Sequence, residues 1–483
     1  MLPLIQEVTK ALNPERALQA VMGSLIDAAG IKRALDVGVE AWEPGKALKL
    51  LLAGYVGTRN TGADVRVEEM IRQFRTILTD EHLELTLMTS DKELSAGYFR
   101  SVRQVLLPQV FPRFLFEECP KHHGVIACEG SMFKSKFANA LTTMMAGALG
   151  MAGAESKLSV GYGAEAGHMD DSMRRFVGKY CKHSMVICRN EPSRGVLGEL
   201  GIRTTGGTDT AWTFEPAPLE RGASLLRQKG WDGEQKILVV CPINPFWWPV
   251  KPDLFKSVAK QFGGQYRREH YKSIYFHNQS QEADDKYERY LNGLAEAITA
   301  FRREKSVFPI LVGMEKLDRE SCELLAERLP EAPPLFVSDE YDMYDLVSVL
   351  RNCGMMVSSR FHAIVTSMPG LVPSAGVTMD ERIRNLMNDR NHPDLFLEVD
   401  DDNLGERLLS ILRRLDTEGE EIAADIARVI PGQLKLMGQM GIDFMDEVSQ
   451  VYPEFPQRDV PRSWEHFLPS LSPTLTELLE RNA

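Results

Sequence analysis

A chain of 483 residues is too long for one hydrophobic core and calls for two domains. Its 43% hydrophobic and 26% charged residues suit an ordinary globular protein, and a formal net charge of -12 argues against a broad nucleic-acid surface while leaving room for a local basic pocket. No run has the apolar length of a transmembrane helix and the start lacks a basic segment followed by an apolar one, so a cytoplasmic chain is expected.

In chain order, residues 1–45 read as a helical extension, with Leu18, Val21, Met22 and Leu25 as a buried stripe and Gly30 as its stop. A buried strand, Leu48 to Tyr55, then runs into the glycine-bearing loop Gly54-Tyr-Val-Gly-Thr-Arg-Asn60-Thr-Gly62. The helix after it keeps Val67, Met70, Ile71, Phe74, Ile77 and Leu78 on one face. The loop is neither G-x-G-x-x-G nor a P-loop, so a tight turn without a ligand is open as its reading. Strands follow at Leu83–Met88, Val125–Cys128, Lys157–Gly161 and Met185–Cys188, with a helix at Phe137–Met151. Arg189 comes directly after a strand, at the edge where open parallel sheets bind ligands; pairing with a carboxylate such as Glu191 is the alternative.

Pro216, Pro218, Gly222, Gly230 and Gly233 mark residues 213–236 as a linker. A second series alternates strands at Ile237–Cys241, Ile274–His277, Phe308–Val312 and Leu335–Val337 with helices near 282–303, 318–328 and 342–352. It closes on Met355–Val357, two serines, and a helix whose buried face is Phe361, Ile364, Val365 and Met368. Ser358 or Ser359 is the expected N-cap, which puts Arg360 and His362 in the first turn. Backbone N–H groups, the helix dipole and a guanidinium would together suit a phosphate or carboxylate; an Arg360–carboxylate pair is the other reading. Beyond residue 400 the chain is helical and acidic. The seven cysteines include no C-x-x-C and the histidines no His-x-x-x-His, so neither disulfides nor a metal site is expected.

Gly54-Tyr-Val-Gly-Thr-Arg-Asn60-Thr-Gly62, Gly161-Tyr-Gly163, Cys188-Arg189-Asn-Glu191-Pro-Ser193 with Gly201 and Asp209, and Ser359-Arg360-Phe-His362-Ala stand in the order that resembles the polysaccharide pyruvyl transferase family. The resemblance spans roughly residues 48–390 and implies an α/β fold of two Rossmann-like doubly wound domains facing a cleft, like glycosyltransferases of the B type, with helical extensions at both ends. On this reading residues 46–212 form the acceptor-side domain, 237–400 the donor-side domain and 401–483 the C-terminal extension. It implies transfer of the pyruvyl group of phosphoenolpyruvate to saccharide hydroxyls, forming a ketal and releasing phosphate, with no cofactor besides that donor. By the same resemblance Arg189, Arg360 and His362, with Ser358 and Ser359, would bind the donor, and His362 could act as general acid.

The chain also departs from the family pattern. Ala63 stands where a carboxylate is usual, leaving Asp64 nearby; Asn190 replaces an acid and Phe361 a leucine. Glu129 could replace the missing base or cap its own turn. Asn60, Gly62, Gly163, Trp247 and Trp248 are the expected acceptor-side residues, the tryptophans serving as an apolar platform or as core. Gly264–Lys272 reads as a flap or as a solvated loop, and a lipid-linked acceptor would add peripheral membrane contact. The competing readings are a nucleotide-sugar-dependent glycosyltransferase or epimerase on the same fold, and a catalytically silent anion-binding member.

Overall fold

The computed structural model describes residues 14–481 except 39, 137, 249, 253–274, 278 and 279. The expected flap, the first part of the expected N-terminal extension and the start of the expected Ile274–His277 strand lie outside those residues.

Short apolar runs make two parallel sheets with helices on both faces, the arrangement in which strands are buried on both sides. The first sheet holds β1 (Leu48–Ala53), β2 (Leu83–Thr89), β3 (Arg103–Leu106), β4 (Gly124–Ala127), β5 (Leu158–Ala164), β6 (Met185–Cys188) and β7 (Arg203–Gly206). Their order is β3-β2-β1-β4-β5-β6-β7, all parallel, with Leu50 opposite both Leu85 and Gly124. The second repeats the plan with β8 (Lys236–Cys241), β11 (Val307–Gly313), β12 (Leu335–Val337), β13 (Met355–Ser358), β14 (Ser374–Thr378) and β15 (Phe396–Glu398), ordered β12-β11-β8-β13-β14-β15. In each sheet the chain runs to one edge, returns, and builds the other half. The reversals fall between β1 and β4 and between β8 and β13, where doubly wound sheets open a ligand crevice.

The structure differs locally from the pattern. β3 and β7 are polar edge strands, β14 is made largely of small residues and β15 has three, so none gives an apolar run to read. Tyr275–Phe276 (β10) pairs antiparallel with Lys251–Pro252 (β9), outside the second sheet. The segment 213–236 is no simple linker, because it folds the helix Leu219–Gln228 with Leu225 and Leu226 buried. Gly222 is there for close approach: its N–H donates to Ser348 Oγ at 3.1 Å, and a Cβ would sit 2.6 Å from the Ser348 carbonyl oxygen. The helix Pro14–Ala34 buries Gln19, Met22, Gly23, Ile26 and Ala29, leaves Val21 52% exposed, and continues through Gly30.

The helix Gly419–Val451 ties the two halves together. Thirty-three residues span about 50 Å. Its first turns meet the Met368–Gly370 turn of the second half, and its later turns meet Thr61–Leu78, β5 and β7 of the first. Among the described residues no helix is long and apolar enough to cross a membrane.

Candidate functional site

Asp209 follows β7 and caps the short turn Thr210–Thr213, its Oδ1 accepting the Ala211 N–H at 3.0 Å. That fixes Oδ2, which three groups approach. Arg189 Nη1 donates to it at 2.8 Å, His362 Nε2 lies 3.2 Å away, and Arg66 Nε forms an ion pair at 3.1 Å. Arg66 is fully buried and spends its remaining donors on the carbonyls of Cys128 (2.9 Å) and Gly163 (2.8 Å). Arg189 has a second carboxylate, Glu165, reached by Nε at 3.0 Å, and its guanidinium lies over the Phe361 ring at 5.1 Å. Glu165 in turn receives Lys134 Nζ at 3.0 Å, and Lys134 reaches Glu381 of the second half at 2.5 Å.

Burial by itself raises both carboxyls, but the cations win. Arg66, His362 and Arg189 hold Asp209 well below the usual range, and Arg189 and Lys134 hold Glu165 near 2. For His362 burial wins: despite Asp209 its pKa falls below the ordinary value.

His362 sits in the first turn of the helix Phe361–Ser367, with its ring against Gly62. The N-cap of that helix is Arg360, without a side-chain cap bond, and neither serine takes the expected role. Ser358 Oγ bonds both backbone ends of Arg360 instead (2.8 and 2.9 Å), and Ser359 Oγ meets the Tyr290 hydroxyl at 2.8 Å. The Arg360 guanidinium belongs to an ion-pair cluster: Nε donates to Asp318 Oδ2 and Nη2 to Glu315 Oε2, both at 2.8 Å. Two carboxylates on one guanidinium leave no net positive charge at that helix start.

Glu315 also joins the halves. It accepts from Asn60 Nδ2 and the Tyr55 hydroxyl, both at 3.2 Å, while the Thr61 N–H donates to the Met314 carbonyl at 2.8 Å. The glycine loop is thus docked against the second domain, and Asn60 Oδ1 additionally caps the helix Thr61–Leu78. Asp64, in the first turn of that helix, is 2% exposed and its Oδ2 has no hydrogen-bond partner among the described residues. Burial, helped by Glu315 and Glu129, pushes its pKa well up in spite of Arg59. Glu129 Oε1 accepts its own neighbour's N–H, from Gly130, at 2.8 Å and lies 4.0 Å from Arg66. Gly163, at φ +61, closes around Arg66. Trp247 stacks on His277 with ring centroids 4.4 Å apart and does not line the cavity described next.

That cavity, of about 420 Å³, opens between the halves at the carboxyl edges of β5 to β7 and β14. Arg189 and Asp209 form one wall, Arg382 and Asn385 of the helix Glu381–Asp389 another, and Gln433 of the long helix a third. Arg382 is held by Asp380 through Nε at 2.8 Å and Nη2 at 2.7 Å. The structure therefore brings Arg189, Asp209 and His362 together, places Arg360 with the glycine loop, and leaves the tryptophans apart. Sequence reading passed over Arg66, Glu165, Glu315, Asp318 and Arg382 as site residues. A charged residue at a strand's carboxyl end, as Glu165 and Glu315 are, was the available signal.

A two-domain α/β transferase fold with a charged interdomain cleft is the class these features define. Residues 159–380 match the polysaccharide pyruvyl transferase family model, which supports a transferase. The match starts at β5 and leaves out the glycine loop, where the departures at Ala63 and Asp64 lie. The structure of HepE from Anabaena in complex with UDP-glucose is similar at a TM-score of 0.54 and 12% identity, covering 83% of this chain and all (100%) of that one; this shows the shared fold. UDP-GlcNAc 2-epimerase from Neisseria meningitidis bound to UDP-GlcNAc aligns at 0.46 with 10% identity, over 84% of this chain and 100% of that one. No curated protein matches.

Proposed function

We propose that this chain moves the pyruvyl group of phosphoenolpyruvate onto hydroxyls of a saccharide or glycan precursor, forming a ketal and releasing phosphate. The observation that carries the reading is that Arg189 and Arg382, from opposite halves, both line one cavity beside the Asp209–His362 contact while held in place by Glu165, Asp209 and Asp380. A donor with a carboxylate and a phosphate asks for two guanidiniums at one site. Arg360, already matched by Glu315 and Asp318, organises the loop that presents His362.

In the reaction a proton is added to the methylene carbon of the donor and an acceptor hydroxyl oxygen bonds to its neighbouring carbon. The first hydroxyl gives up a proton that balances the one taken up by the methylene carbon, and a second hydroxyl then displaces phosphate to close the ketal, its proton leaving with the phosphate. His362, oriented by Asp209, is the group proposed to pass the proton; the negative charge of the bound donor raises its pKa toward the protonated form.

A second reading, an anion-binding member without turnover, is favoured by one observation. Asp64, the carboxylate left beside the glycine loop, is buried and does not line the cavity.

The test is a thermal-shift titration with phosphoenolpyruvate, inorganic phosphate, UDP and GDP on the wild type and on Arg382→Gln. Ligand at about a hundred times its dissociation constant adds roughly 2.7 kcal/mol. Stabilisation selective for phosphoenolpyruvate and lost in the variant is the expected result. Selective stabilisation by UDP or GDP would replace the reading with nucleotide-sugar chemistry, and binding without phosphate release from any acceptor would favour the silent member.

A further inference from the structure

Four amide side chains line the cavity: Asn190, Asn385, Asn388 and Gln433. Two are partly committed. Asn190 Oδ1 caps its helix by accepting the Ser193 N–H at 3.0 Å, and Gln433 Oε1 accepts the Thr208 hydroxyl. Asn385 and Asn388 make no side-chain hydrogen bond among the described residues, although they stand three apart on one face of the helix Glu381–Asp389. Across the cavity Leu436 offers apolar surface, while Leu386 and Trp212 line it from the core, 5% and 2% exposed. Leu436 keeps 41% of its surface exposed, an unusual position for a leucine with a concave neighbour to pack against.

Resting on the pyruvyl-transfer reading, we infer that Asn385 and Asn388, with the Gln433 amide facing them, form the subsite for an uncharged sugar ring of the acceptor. The chemistry follows from what each wall lacks. Arg189 and Arg382 present only donors, which suits anions, and the carboxylates on that wall, Glu165 and Asp209, already accept from Arg189. A free asparagine amide presents one acceptor and two donors, so a pair at i and i+3 can both give to and take from neighbouring hydroxyls on a ring. Leu436 covers the C–H face of the same ring, giving the mix of apolar wall and few directed polar groups found in small-molecule sites. The two ligands are thereby sorted by charge: the anionic donor at the arginines, the neutral acceptor ring at the amides.

Saturation-transfer NMR on the full-length chain, with the methyl glycosides of glucose, galactose and mannose as probes, tests this. The expected result is transfer to ring protons of at least one glycoside, lost in Asn385→Leu/Asn388→Leu and reduced in Gln433→Leu. Arg382→Gln should keep it. Circular dichroism melting checks that the variants are folded. Equal transfer in the asparagine variant, or no transfer to any glycoside in the wild type, overturns the subsite. The phosphoenolpyruvate titration fails separately: a sugar signal lost in the asparagine variant, with no donor stabilisation of the wild type, would sink the pyruvyl-transfer reading and leave the sugar subsite standing.

Discussion

His362 Nε2 and Asp209 Oδ2 lie 3.2 Å apart although one follows β13 of the second sheet and the other β7 of the first. The contact exists only when the two halves are together. The same oxygen also serves Arg66 and Arg189, so a single carboxylate links the fold of the first domain to the His362 imidazole of the second.

Asp209→Asn tests that link. An amide cannot balance a fully buried Arg66, and breaking a buried ion pair from one side costs about 3–5 kcal/mol. Urea denaturation of the variant should show a loss of that order. A midpoint equal to the wild type would mean that the cluster contributes nothing to the fold.

Gly62→Ala probes the position of His362 without touching its chemistry. A Cβ at residue 62 overlaps the imidazole Nδ1, so the ring must shift relative to Asp209. Small-to-large changes of this kind cost about 1–3 kcal/mol, whereas misplacing a reacting group by about 1 Å can lower turnover roughly 100-fold. The expected pattern is a modest stability change with a large drop in kcat. Unchanged kcat would show that the imidazole is a bystander.

Asp64→Asn should separate stability from activity. Burial raises the Asp64 pKa, so the folded state holds the proton more tightly than the unfolded chain does. The stability this group contributes is therefore complete below the unfolded value near 3.8 and is lost as pH rises through the higher folded pKa. The asparagine variant is expected to be more stable than wild type at pH 7, with the advantage shrinking toward pH 4, as read from melting at a series of pH values. If Asp64 is the base for the acceptor, turnover falls by about 100- to 10,000-fold at the same time. A variant as active as wild type would assign the residue to packing alone.

Arg360→Gln distinguishes an organising arginine from a binding one. It strands Glu315 and Asp318, both buried, and should cost about 3–5 kcal/mol. Phosphoenolpyruvate should still stabilise the weakened protein, in contrast to Arg382→Gln. Full stability of Arg360→Gln with loss of the ligand response would return the donor site to Arg360.

Much of the architecture could be read in one dimension, because a strand buried on both faces has no choice but to be a short apolar run. Leu48–Ala53, Met185–Cys188 and Lys236–Cys241 declare themselves in this way, and the alternation of such runs with 3.6-periodic segments implies a doubly wound plan. The edge strand Arg203–Gly206 carries no such signal, since one side of it meets solvent. Arg189, Arg360 and His362 were also visible, as charged or titratable residues directly after buried strands.

What those residues do was decided by the tertiary structure. Whether a guanidinium faces the open cavity depends on where its partners hold it, and the carboxylates that hold Arg360 outside that cavity come from 42 and 45 residues away in the chain. Asp209 becomes a hub through Arg66, Arg189 and His362, which lie on three separate elements. The sequence by itself determined two doubly wound layers and the kind of residue at their carboxyl edges. The packing of one layer against the other decided which charges cancel and which face the open cavity, because electrostatic partnership depends on distances of a few ångströms that spacing along a chain does not encode.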